Sequence, residues 1–289
     1  MRKPLFTGAC TALVTPFLNG KINYPMEEQL LRRQISAGIR TVVLAGTTGE
    51  SPTLSDNEKI ELFRRGKAYV KDSCMIIAGT GTNSTEHAVA LSIAAEDAGA
   101  DALLVVAPYY NKSTPDGLVA HYLSIAHAVS LPIILYNVPS RTGVDIPVSV
   151  YQRLSRVPNI VGVKEASSDI TKIARIRIAC GPDFTIWAGN DDQIVPAMAN
   201  GGSGVISVLS NIRPEETVAI CEAAKNGDYE TAAALHRNLL PLIDLLFCEV
   251  NPIPVKAAMR QIGYDCGECR LPLSRLSKEN QIKLETFLA

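Results

Sequence analysis

With 289 residues, 47% of them hydrophobic, the chain can bury a large core as one α/β barrel or as two smaller domains. Lysine and arginine total 28 against 29 acidic residues, a formal net charge of -1, which excludes the basic field of a nucleic-acid binder and the polybasic strip of a membrane-surface protein. The opening "MRKPLFTGACTALVTPF" is broken by proline and polar residues before it reaches a secretory core, and no apolar run approaches the roughly 18 residues of a spanning helix. The expectation is a cytoplasmic protein acting on a small molecule.

Short β-branched runs recur along the chain. "GACTALVTPF" opens it, followed by "TVVLAG" ending at Gly46, "MIIAG" ending at Gly79, "ALLVVAP" ending at Pro108, "PIILYN" ending at Asn137, "IVGVK", "FTIWAG" and "GVISV". Helical patterns separate them. Met26, Leu30, Leu31 and Ile35 share a face, with Gly38 as the stop. Ser55 with Glu58 forms a capping box, and Asn83 with Glu86 resembles another. Ile170, Ile173 and Ala174 give a buried face after the sixth strand. Eight strands alternating with helices, each strand apolar on both faces, predict a TIM (β/α)8 barrel over residues 1–225. From residue 226 the pattern is helical only, so residues 226–289 are expected to form a C-terminal helical extension. No G-x-G-x-x-G follows the first strand, which weakens a dinucleotide-binding alternative.

The seven cysteines are scattered and odd in number, and they read as reduced thiols. "CGEC" at Cys266 to Cys269 is a lone C-x-x-C, taken as a loop feature. None of the four histidines has metal-ligand spacing, so no metal site is expected; His87 and His121 are placed on helix surfaces.

A barrel builds its site at the C-terminal ends of its strands. There lie "GTTGES" after strand two, "PYYN" after strand four, "YNVPSRTG" after strand five, Lys164 on strand six and "GNDD" after strand seven. Lys164 closes an apolar run, and Glu165 points to the opposite face of the strand, so it cannot easily neutralise the amine. Burial disfavours the charged form of a lysine, and the neutral amine attacks carbonyls. Tyr136 closes the adjacent strand, within reach of proton transfer to that amine. Thr47 and Thr48, set between glycines, form either a plain turn or a carboxylate cradle. Arg141 carries the planar fork that suits a carboxylate. "ANGGSGVIS" is read as a tight turn in preference to a phosphate loop. An amine nucleophile, a phenol and carboxylate binders are the equipment for Schiff-base chemistry on a 2-oxo acid.

The ordered set "GTTGES", "YYN", "YNVPSRTG", "VGVKEAS", "GNDD", "GGSGVISV" and "NPIPVKAAM", spanning nearly the whole chain, closely resembles the dihydrodipicolinate synthase family. The resemblance implies a pyruvate-dependent class I lyase of lysine (diaminopimelate) biosynthesis that condenses pyruvate with aspartate 4-semialdehyde to give 4-hydroxy-tetrahydrodipicolinate. It implies a Schiff base on Lys164, proton shuttling by Tyr136, and a relay in which Thr47 links Tyr136 to Tyr110, the latter reaching into a neighbouring subunit's site. Thr48 would hold the pyruvate carboxylate, Arg141 the semialdehyde's carboxylate, and Gly189 and the Ile206 carbonyl would line the pocket. A homotetramer, as a dimer of dimers, and no metal or organic cofactor are implied as well. The nearest rivals are N-acetylneuraminate and sugar-acid lyases, which keep the lysine and tyrosine; "SRTG" with Arg141 favours the synthase. A 2-oxo-acid-binding barrel without catalysis is disfavoured by the full set Lys164, Tyr136, Thr47 and Tyr110. Where lysine-sensitive members carry histidine on the helix after "TTGES", and glutamate beyond "GTGxN", this chain has Asp56, Lys59 and His87, while Ser51, Asn83 and Tyr109 still match. Lys59 would repel an incoming ammonium, so weak or absent inhibition by lysine is expected.

Overall fold

A computed structural model describes residues 3–288. Eight parallel strands close into a barrel: β1 Gly8–Ala12, β2 Thr41–Leu44, β3 Met75–Gly79, β4 Ala102–Val106, β5 Ile133–Asn137, β6 Ile160–Glu165, β7 Thr185–Ala188 and β8 Gly204–Ser207, with β8 paired back to β1. A two-stranded hairpin, Phe17–Leu18 with Lys21–Ile22, follows β1. Helices then alternate with strands up to Pro214–Lys225, and three more follow at Tyr229–Leu246, Ile253–Gln261 and Lys278–Leu288.

Local chemistry sets several of these boundaries. Asn23 caps the first helix by accepting from the Met26 amide, and Gly38, at φ +94°, ends the turn after it, a conformation that glycine adopts without a Cβ penalty. The Ser55–Glu58 capping box is present in full. The next helix differs from expectation: Ser84, not Asn83, caps Thr85–Asp97, because its hydroxyl accepts from the His87 amide. The strands are also shorter than their apolar runs. β2 stops at Leu44 because Ala45 takes a positive φ of 49°, which breaks the extended ladder and starts the "GTTGES" turn. Gly79 makes room for that turn, since a Cβ there would come within 2.2 Å of the Ala45 carbonyl oxygen.

Two apolar layers result. One lies between strands and helices and includes Leu30, Leu31, Phe63, Tyr122 and Ile176; the other fills the barrel with Phe6, Cys10, Val43, Ile77, Leu104, Ile134, Tyr136, Trp187 and Ile206. His121 departs from the surface placement expected for it. It is buried beside Tyr122, its Nδ1 lies 2.9 Å from the Thr85 hydroxyl, and desolvation holds its pKa down at about 4, so it stays neutral. Its apolar flanks on Pro115–Ala128 turn that face inward.

The decisive irregularity is in β6. Ile133 pairs with Ile160 but Ile134 pairs with Gly162, so β6 holds one residue more than β5 at Val161. Ile160 therefore packs outside while Gly162 and Lys164 turn inward. Gly162 leaves space that Trp187 fills, since a Cβ there would meet the indole at 2.8 Å. Tyr136, Lys164 and Trp187 then lie in one register row across β5, β6 and β7.

Candidate active site

Lys164 is 5% exposed, and its Nζ sits 4.4 Å from the centroid of the Tyr136 ring. Among the described residues it has no hydrogen bond or ion pair. Glu165 points outward into a separate network: its carboxylate accepts from Asn137 Nδ2 at 2.8 Å, the Ser167 amide at 2.8 Å and the Tyr151 hydroxyl at 3.2 Å. Lys172 lies 3.6 Å from Glu165 and also pairs with Asp145. That network fixes the strand end while leaving the Lys164 amine uncommitted.

A cavity of about 420 Å³ opens beside this row, lined by Gly46, Thr47, Tyr109, Tyr136 and Arg141 and running outward to Ser51, Asp56, Lys59, Asn83 and His87. Such a volume suits small-molecule ligands. Lys164 is not on that wall and borders it through Tyr136. Arg141 stands on the short helix Pro139–Thr142 after β5, exposed, with its Nη2 donating to the Asn251 carbonyl at 3.2 Å. Thr48 is buried next to Thr47, and its Oγ1 accepts from Asn251 Nδ2 at 3.0 Å. Gly189 approaches the end of β6 so closely that a Cβ would lie 2.5 Å from that of Ala166, and its amide donates to the Glu165 carbonyl at 2.7 Å. Ile206, on β8, is buried in the barrel interior.

Not every expected partner is brought together within the chain. Tyr110 is 90% exposed in a loop with φ +67°, and no hydrogen bond among the described residues joins Thr47, Tyr136 and Tyr110. On the outer wall, Lys59 is buried 3.8 Å from Asp56, whose other oxygen takes His87 Nε2 at 2.8 Å. Asn111 Nδ2 donates to the Asn83 carbonyl at 3.0 Å.

Four residues inside the quoted motifs had no role assigned from sequence. Asp191 of "GNDD" is buried; one oxygen accepts from the Val208 and Leu209 amides at 2.9 and 2.8 Å, and Oδ1 has no partner. Desolvation raises its pKa, opposed by Ser207, those amides and the positive potential of Lys164. Glu50 and Lys256 form a buried ion pair at 2.8 Å, and Asn251 bridges Thr48 and Arg141. Their position beside "TTG" and within "NPIPVK" was the available signal, but their partners stand some 200 residues away in the chain.

Among the described residues, no cluster of three or more histidine, cysteine, aspartate or glutamate side chains is placed to hold a metal ion, and no helix is long and apolar enough to cross a membrane.

The profile of the Dihydrodipicolinate synthetase family matches residues 5–289. The 4-hydroxy-tetrahydrodipicolinate synthase of Caldicellulosiruptor saccharolyticus is 47% identical over 286 residues, covering 99% of this chain and 97% of that protein. The crystal structure of dihydrodipicolinate synthase from Aquifex aeolicus superposes with a TM-score of 0.96 at 41% identity, covering 98% of this chain and 97% of that one. That of DHDPS from Cyanidioschyzon merolae with lysine bound gives 0.95 at 39% identity, covering 99% and 98%.

Proposed function

The chain belongs to the dihydrodipicolinate synthetase family, and from that premise we propose that its reaction runs through an imine on Lys164. It is a lyase of the Schiff-base aldolase type, a 4-hydroxy-tetrahydrodipicolinate synthase that condenses pyruvate with aspartate 4-semialdehyde in lysine biosynthesis. The observation that carries the mechanism is the buried, unpaired Lys164 amine against Tyr136.

The amine adds to C2 of pyruvate and water leaves, with Tyr136 passing the protons. The resulting iminium draws electrons from the methyl carbon, which loses a proton and becomes an enamine. The enamine carbon attacks the aldehyde of the second substrate; the substrate's own amine then displaces Lys164 as the ring closes. Thr48 and its neighbouring backbone hold the pyruvate carboxylate, and Arg141, exposed on the cavity wall, takes the carboxylate of the semialdehyde. Gly189 and the Ile206 carbonyl bound the pocket beside β6. Because the chain supplies its own electron sink, the reaction needs no metal or organic cofactor.

Tyr110 serves a second copy. Its exposure on a loop held at positive φ supports a relay completed between subunits, in a homotetramer built from such pairs. The outer wall of the cavity supports weak or absent inhibition by lysine. Buried Lys59 presents a like charge there, and Asp56 is already engaged by His87. Half-maximal inhibition by sub-millimolar lysine in a steady-state assay contradicts this. The reaction itself is tested by turnover of aspartate 4-semialdehyde with pyruvate, set against cleavage of N-acetylneuraminate. Arg141→Ala is expected to raise KM for the semialdehyde far more than for pyruvate.

A further inference from the structure

Thr48 stands on the loop after β2 and Arg141 on the short helix after β5, separated by two strands of the barrel wall. A single residue from outside the barrel touches both. Asn251, 5% exposed, precedes the helix Ile253–Gln261; its side-chain amide donates to Thr48 Oγ1 and its backbone carbonyl accepts from Arg141. Five residues on, Lys256 reaches back to the same β2 loop, donating to Glu50 at 2.8 Å, the Thr15 carbonyl at 3.1 Å and the Glu268 carbonyl at 3.2 Å. Glu50 is also held by the Arg270 amide at 2.8 Å. The two stretches are therefore joined at two points, Thr48 to Asn251 and Glu50 to Lys256, and both joints are buried.

Resting on the function proposed above, we propose that Asn251 is a positioning residue that aims the Thr48 hydroxyl at the pyruvate carboxylate and holds Arg141 at a fixed separation from it. A hydroxyl carries one proton. With a lone pair of Thr48 occupied by the Asn251 amide, that proton is free for an incoming carboxylate. The spacing matters because carbon–carbon bond formation needs the enamine and aldehyde carbons about 3–3.5 Å apart, and a misplacement of about 1 Å costs on the order of 100-fold. The Glu50–Lys256 pair keeps Asn251 from drifting.

The test measures the pyruvate concentration giving half-maximal borohydride-trapped adduct, alongside KM for the semialdehyde. Asn251→Ala is expected to raise half-saturating pyruvate about tenfold, with the adduct still on Lys164 at saturation, and to raise KM for the semialdehyde as well. Asn251→Asp keeps the shape and a bond to Thr48 but takes that hydroxyl's proton and adds a negative charge, so its half-saturation should rise at least as far. In a Thr48→Val background, Asn251→Ala should add less than twofold. A purely structural role predicts that Asn251→Asp binds pyruvate like the parent, or that the Thr48 and Asn251 effects multiply, and either result overturns the proposal. Should the parent protein itself form no pyruvate adduct, it is the imine reading that fails.

Discussion

Two buried lysines in this molecule have opposite surroundings. At the junction with the C-terminal segment, Lys256 meets Glu50, two backbone carbonyls and the face of Phe17. At the barrel axis Lys164, equally buried, has no hydrogen bond or ion pair among the described residues; it lies against a tyrosine ring, and Asp191 feels its charge without pairing with it. Burial alone thus does not mark a nucleophile. What separates the two is whether a carboxylate is in direct contact, because an amine paired with one is a cross-link, and one left out of contact is available to react with a carbonyl. Glu27 is the acidic counterpart of Lys164: buried on the first helix, its Oε2 without a partner, its pKa pushed up by desolvation to about 8.

Substitutions can break this contrast. The largest effect falls on Lys164: Lys164→Met, which keeps the volume of the buried stem, should abolish both adduct and turnover while its thermal midpoint stays at or above that of the parent, since no ion pair is lost. A lowered midpoint would mean that the amine has a structural partner after all. Tyr136→Phe should cut kcat by about 10²–10⁴, the range for a lost proton-transfer group, and leave folding intact. Lys256→Met strands a buried carboxylate and should cost about 3–5 kcal/mol in urea unfolding; adding Glu50→Gln should recover much of that.

The last effect is a pH dependence. Glu27 is protonated in the fold up to about 8 but ionises near its ordinary 4.5 when unfolded. Across that window the folded state binds more protons, so stability is full below about 4.5 and is lost as pH rises toward about 8. Urea midpoints measured between about pH 5 and about pH 8 should fall in the parent and flatten in Glu27→Gln. Parallel slopes would give Glu27 a hidden partner.

The barrel was legible because β-branched runs and helical periods are local signals, and the Ser55–Glu58 box is complete within four residues. The places of Lys164 and Tyr136 at strand ends, and of the threonines and Arg141 just beyond them, were legible from where the apolar runs stop. The extra residue at Val161 was not: which face Lys164 takes depends on a register step against β5, invisible in "IVGVK" by itself. Neither were the Glu50–Lys256 and Thr48–Asn251 joints, since nothing local to "TTGES" or "NPIPVK" says that they touch. His121 differed from its surface reading because it stands on the buried face with Leu118, Tyr122 and Ile125, while Asp116, Ser124 and His127 hold the exposed one.

The central claim is that Lys164 is the reacting amine, and intact mass followed by peptide mapping after incubation with pyruvate and sodium borohydride tests it most directly. One reduced pyruvyl adduct per chain on the peptide carrying Lys164 is the predicted result. An adduct on Lys256, Lys172 or Lys59 in its place, or none at all, would contradict the account.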